Sequence, residues 1–348
     1  MRFGLLYLPT FHAATHGSSA GLYQQIFEQV ELAERLGFHS VWAAEHHFTP
    51  YGGDIPNPCT LLAALAQRTT RMRLGTAGIA LPLNHALNTA EQLAMVDALS
   101  NGRLDIGVVR AFLHFEYEAL QVDMDASRER FNESVEILLR AFAEESFEYR
   151  GKHYNFDEVA LRPRPVQTRP RIMVGTVLSP ESARYAGLNG FDLMVIPYAV
   201  SLEGVKHTVA LYHEALREAG HDPATHQVHG CFHLYTAQDE ATCIAEAQAP
   251  MLAYVQYFID AISGDRWSSA YPGYQGMVDK VRLLQNFDLL YDRRSFIGTP
   301  ARLRETLAMA RDAGITEMSF ITMLPGLMQN RVLDSLRLFA AEVMPGSD

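Results

Sequence analysis

Four short constellations in this chain combine residue types that do chemistry. The first is Glu45-His46-His47-Phe48. Imidazole titrates near neutral pH, so a histidine held in a pocket can give or take a proton during catalysis. Adjacent histidines on an extended backbone point in opposite directions. No H-E-x-x-H spacing accompanies them, so a shared metal is not expected. The plainer alternative is one packed, hydrogen-bonded histidine and one exposed. The second constellation is Arg110, and the third is the turn Gly175-Thr176-Val177 with Ser179 just before Pro180. A glycine lets backbone approach closely, and a helix starting at Pro180 offers free N–H groups. Together with an arginine this is a phosphate-binding combination. The alternative for Arg110 is an ion pair with a carboxylate such as Glu116. The fourth is Ala77-Gly78, either a tight packing spot or a flat surface beneath a planar ring; spacing alone does not decide.

These residues follow predicted strands. Arg2–Leu8 is almost wholly apolar, as strands buried on both faces are. Leu22, Ile26, Val30 and Ala33 then mark one face of a helix that stops at Gly37. Ser40–Ala44, Arg73–Ile79 and Leu104–Arg110 read as the next strands, with helices over Cys59–Arg68 and Ser127–Glu145. Thr89-x-x-Gln92 suggests a capping box opening a helix that ends at Asn101-Gly102. The second half repeats the rhythm: strands at Arg171–Val174, Asp192–Ile196, Val228–Tyr235 and Glu317–Thr322, and helices after each. About eight strand–helix units without a composition break predict one domain over residues 1–348, an α/β (β/α)8 TIM barrel with insertions. Residues 149–169 read as a small insertion, and 263–296 as an active-site lid loop. In such a barrel the active site lies at the C-terminal ends of the strands. The residues named above belong there, together with Leu8, Phe112 and Tyr198.

Composition narrows the partners. The 348 residues carry 29 basic and 40 acidic side chains, a formal charge of −11. Such a chain repels phosphate backbones and anionic lipid, so neither nucleic acid nor membrane is an expected partner. No apolar run reaches about 18 residues, the length of a membrane-spanning helix. Three cysteines make no disulfide framework and no zinc spacing, which fits a reducing cytoplasm and leaves them as bystanders.

The runs EHHFTPYGGDIPNP (Glu45–Pro58), LGTAGIALPLNH (Leu74–His85), LSNGRLDIGVVRAF (Leu99–Phe112) and IGTPARLRETLAMARDAGI (Ile297–Ile315), with DSLRLFAAEVMP closing the chain, stand in this order. Together they resemble the bacterial-luciferase-like flavin monooxygenases, and most of all the catalytic alpha chain of luciferase. The resemblance spans nearly the whole chain. It implies a barrel that binds reduced FMN, supplied by a separate flavin reductase. With O2 as co-substrate, a C4a-peroxyflavin would then oxygenate an aldehyde, ketone or similar small organic substrate. It makes His46 the catalytic histidine and Arg110 the grip on the FMN phosphate. It assigns phosphate donors to Gly175, Thr176, Val177 and Ser179. It puts a non-prolyl cis peptide at Ala77-Gly78, behind the flavin ring, and an acidic residue near the flavin at Glu116.

Departures from the family pattern fall at the pocket. Val109 stands where the luciferase catalytic chain has a reactive cysteine, and Thr176-Val177 replaces a glutamate-serine pair. Phe48, Phe112 and Leu113 are expected to line a substrate pocket of its own kind, with Leu8 and Tyr198. The resemblance also implies a homo-oligomer, a homodimer being the expected form. The small residues within Cys59–Gln67 suit close helix approach, between subunits or on the barrel's own sheet. Two rival functions remain: a deazaflavin-dependent dehydrogenase or reductase on the same barrel, and a non-catalytic flavin-binding partner subunit.

Overall fold

The computed structural model describes residues 1–177, 179–263, 277–292 and 294–345. Eight parallel strands close on themselves. In chain order they are β1 (Arg2–Tyr7), β2 (Ser40–Ala43), β3 (Arg73–Thr76), β4 (Leu104–Val109), β5 (Arg171–Thr176), β6 (Asp192–Val195), β7 (Val228–Tyr235) and β8 (Glu317–Ile321). Closure is direct: β8 pairs with β1 through Arg2–Glu317 to Leu6–Ile321, and β7 pairs with both β6 and β8. The expected (β/α)8 barrel is present. Its strands are buried along nearly their whole length, as a sheet covered by helices requires.

Local chemistry sets the element ends. Ser18 caps the helix Ser19–Leu36 on the Gly21 N–H, and Gly37 ends it in the left-handed region. Thr299 caps Pro300–Asp312 with proline in its first turn. The expected capping box at Thr89 is absent. The helix begins a turn earlier, at Ala86, and Thr89 sits inside it, donating to the His85 carbonyl at 3.2 Å. Gln92 is turned instead to Asn57, 3.0 Å away. The third strand is shorter than its apolar run. It stops at Thr76, the Ala77-Gly78 peptide is cis, and Ile79–Ala80 then pairs on β4.

The stretch read as an insertion contains most of an antiparallel hairpin, Phe147–Arg150 with Asn155–Val159. Much of the expected lid, residues 264–276, lies outside the described residues. The described remainder includes the short helices Met277–Arg282 and Phe287–Tyr291. No helix among the described residues is long and apolar enough to cross a membrane.

The barrel floor is charged. Arg73 donates to both oxygens of Asp105, at 2.8 and 2.6 Å. Arg171 lies 2.5 Å from Asp192 and 3.0 Å from Glu317. Glu317 in turn faces His229 Nδ1 at 3.4 Å, and both side chains are fully buried. The His229 ring packs edge-on against Trp42 at 4.6 Å, and its Nε2 meets Ser319 Oγ at 2.7 Å. This layer sits at the N-terminal ends of the strands, the end of the fold that serves stability.

Candidate active site

At the opposite end, a cavity of about 1150 Å³, counting the space open to solvent, is walled by residues from all eight strand ends. Of the residues singled out by sequence, Leu8, His46, Ala77, Gly78, Arg110, Phe112, Gly175, Thr176, Val177, Ser179 and Tyr198 line it. Three do not. Phe48 is 69% exposed and adopts a left-handed φ of 58°, which turns it out to solvent beside the His47 ring. Leu113 is fully buried and precedes the short helix His114–Ala119. Glu116 stands behind the cavity wall.

That carboxylate has a defined task. Glu116 Oε1 faces His46 Nδ1 at 3.1 Å and accepts the His47 N–H at 2.8 Å. An ionised Glu116 makes Nδ1 the donor and leaves Nε2 as the His46 nitrogen available for proton work. Glu116 therefore orients the histidine from behind the cavity wall. His47 turns the other way. Its Nε2 meets Glu45 Oε1 at 2.9 Å, and this bond raises the imidazole above its ordinary value against the opposing effect of burial. Glu45 also accepts from the Ala80 N–H at 3.0 Å and the Asn84 amide at 2.8 Å. The two histidines thus divide as expected: one at the cavity, one in the scaffold.

Replacing Glu116 with glutamine keeps the shape and removes the charge that fixes the ring. Turnover is expected to fall by at least about tenfold with flavin affinity retained, as steady-state kinetics and flavin titration would show.

The Arg110 end of the cavity suits an anion. Arg110 is 8% exposed. Thr176, Ser179 and Ser182 bring hydroxyls to the same wall, at the start of the helix Pro180–Leu188. Ser179 caps that helix on the Ser182 N–H at 3.2 Å, and Thr176 Oγ1 donates to the Ser179 carbonyl at 3.0 Å, so the turn is braced. A Cβ at Gly175 would lie 2.7 Å from the Val109 side chain, and one at Gly78 would lie 2.9 Å from the Gly107 backbone. Neither position tolerates bulk. The cis Ala77-Gly78 pair leaves a small-residue surface on the cavity wall. A guanidinium, several hydroxyls and a helix start at one end, with small and apolar walls elsewhere, suit a phosphorylated, flat-ringed cofactor.

Sequence reading missed several lining residues: Tyr51, Cys231, Phe258 and Ile321 among them. Cys231 and Ile321 follow from strand alternation once β7 and β8 are placed. Phe258 lies on the helix Glu240–Ser263, where its apolar spacing matched an ordinary core face. Tyr51 sat in a loop without periodicity.

The structure is a TIM barrel whose mouth brings a histidine, a buried arginine and a helix start to one cavity. The comparisons refine this: the family profile described as Luciferase-like monooxygenase matches residues 1–317, and the chain belongs to that family of flavin-dependent monooxygenases. It is 30% identical over 261 residues, 74% of this chain and 71% of the relative, to the oxygenase component of the flavin-dependent trigonelline monooxygenase of Acinetobacter baylyi. It is 32% identical to monooxygenase RslO1 of Streptomyces bottropensis, with a TM-score of 0.89 and full coverage of both chains. The same fold, at a TM-score of 0.81 and 20% identity over 99% of this chain and 98% of the other, occurs in the oxygenating constituent of 3,6-diketocamphane monooxygenase of Pseudomonas putida, solved with FMN.

Proposed function

We propose that the protein is the oxygenase of a two-component system. It takes reduced FMN from a separate flavin reductase and oxygenates a small organic aldehyde or ketone. The observation that carries this reading is the shared cavity of His46, oriented by Glu116, and the Arg110–Thr176–Ser179 anion end. Reduced FMN, when bound, supplies the electrons that activate dioxygen. Arg110 would hold its phosphate, with the Thr176 and Ser179 hydroxyls rotating to it from the Ser179 carbonyl and Glu181, to which they donate here, and Ala77-Gly78 would lie beneath its ring. The apolar walls exclude water, and the His46 Nε2 handles the proton that oxygen transfer requires. The phosphate is drawn by these local groups against the chain's overall charge of −11. A homodimer remains part of the proposal, to be read from sedimentation.

Arg110→Ala tests the cofactor assignment. Removing the buried guanidinium is expected to weaken reduced FMN binding by about 10- to 100-fold in anaerobic titration, the loss of a charge-assisted contact. Unaltered affinity would remove Arg110 from the phosphate role. Oxygen uptake and product formation with FMN and a reductase, set against hydride transfer to a deazaflavin, separate the monooxygenase from the dehydrogenase reading. Activity of the single chain with only a reductase added rules out the partner-subunit reading.

A further inference from the structure

Three buried phenols meet at one side of the cavity. Tyr198 Oη lies 3.1 Å from Tyr254 Oη, Tyr254 Oη lies 3.3 Å from Tyr51 Oη, and Tyr51 Oη lies 3.4 Å from Tyr198 Oη. Three hydroxyls carry three protons, enough for three links only if each donates once around the triangle. The links are unequal. Hydroxyl–hydroxyl bonds are ordinarily about 2.7–2.8 Å, so the Tyr51–Tyr198 contact is the weakest of a long set. Tyr51 and Tyr198 are also the two members that line the cavity; Tyr254 does not. The weakest link thus joins the two members that line the cavity, so an acceptor placed there competes for its proton at little cost.

A second polar deficit lies directly behind. His233, fully buried, packs edge-on against Tyr198 at 4.5 Å and Tyr254 at 4.4 Å. Neither of its ring nitrogens has a hydrogen-bond partner among the described residues. Burial pushes its imidazole down to about 3 and pushes all three phenols up, so the phenols stay protonated and able to donate.

The neighbouring walls are flat rings at right angles. Tyr51 stacks on Phe258 at 4.8 Å and 14°, while Phe112 stands at 81° to Phe258 and 84° to His46. Such a corner offers both stacking and edge contacts to another ring, and only area to an alkyl chain.

We infer that the organic substrate is a ring-bodied carbonyl compound whose oxygen accepts a hydrogen bond from Tyr51 or Tyr198. This rests on the oxygenase reading above, but its test needs no turnover. The full chain, with and without oxidised FMN, is titrated by ligand-detected NMR with 1-tetralone, with its carbonyl-free counterpart tetralin, and with the linear ketone 2-decanone. Wild type is expected to bind 1-tetralone about tenfold more tightly than tetralin, the discrimination of one buried hydrogen bond. It should also prefer 1-tetralone to the more apolar 2-decanone.

The Tyr51→Phe/Tyr198→Phe double variant should lose the ketone preference while still binding tetralin. The single variants serve if the double variant does not fold. Tyr254→Phe should keep the preference, because its hydroxyl does not reach the cavity. Equal binding of ketone and hydrocarbon by wild type, or a preference that survives in the double variant, overturns the hydrogen-bond assignment. So does equal loss in Tyr254→Phe. Tighter binding of 2-decanone overturns the ring-bodied substrate. Failure to bind FMN would instead count against the proposed function and leave this comparison readable.

Discussion

His46→Ala is expected to lower the rate of substrate oxygenation by about 10²–10⁴-fold, the usual contribution of a positioned proton donor or acceptor. The His46 side chain is 13% exposed, at the wall of a largely apolar cavity, and Glu116 fixes its Nδ1. Alanine leaves the Arg110 end of the cavity untouched. FMN affinity should therefore be retained, and oxygen consumption should become uncoupled from product. The measurement is product formed per oxygen consumed, with a reductase supplying reduced FMN, beside an anaerobic FMN titration of the same variant. Unchanged product turnover would take the proton role away from His46.

Glu317→Ala is expected to destabilise the fold by about 3–5 kcal/mol in urea unfolding, because it leaves the fully buried His229 without its carboxylate and takes from Arg171 one of its carboxylate partners, Asp192 remaining at 2.5 Å. Glu317→Gln, which keeps the shape, separates lost charge from lost volume. The same layer sets a pH window. Burial works to raise the Glu317 carboxyl, but His229 and Arg171 outweigh it and hold it down to about 2, against an ordinary 4.5. Its stabilisation is thus complete above about 4.5 and lost as pH falls through 2. Burial works to lower His229, but Cys231 and Glu317 outweigh it and raise it to about 9, against an ordinary 6.5. Its contribution is complete below 6.5 and lost as pH rises through 9. Wild-type stability should peak between these limits, and the Glu317 variants should flatten both shoulders.

Much of this architecture was legible in the residues. The eight barrel strands announce themselves as apolar runs because both faces are buried, and Val228–Tyr235 matches its predicted span at both ends. The motif residues His46, Ala77, Gly78, Arg110 and Gly175 converge because the fold gathers strand ends. What pattern could not supply was direction. A left-handed backbone at Phe48 turned an apparent pocket residue into solvent. Glu116 carried the right charge, yet only the geometry shows it spent on two N–H donors of the histidine pair. The tyrosine triangle draws on positions 51, 198 and 254. Tyr51 lies in the loop after β2, Tyr198 at the start of the helix after β6 and Tyr254 within the helix after β7, so no local spacing could announce it.

Glu116 ties His46 to His47, His47 ties to Glu45, and Glu45 holds Ala80 and Asn84 beyond the cis pair. The His46 side of the pocket is thereby one continuous hydrogen-bonded unit. Tyr254 and Phe258 stand outside that unit, on a single helix after β7. Replacements on that helix therefore reshape the Phe258 wall without breaking any hydrogen bond of the chain that holds His46.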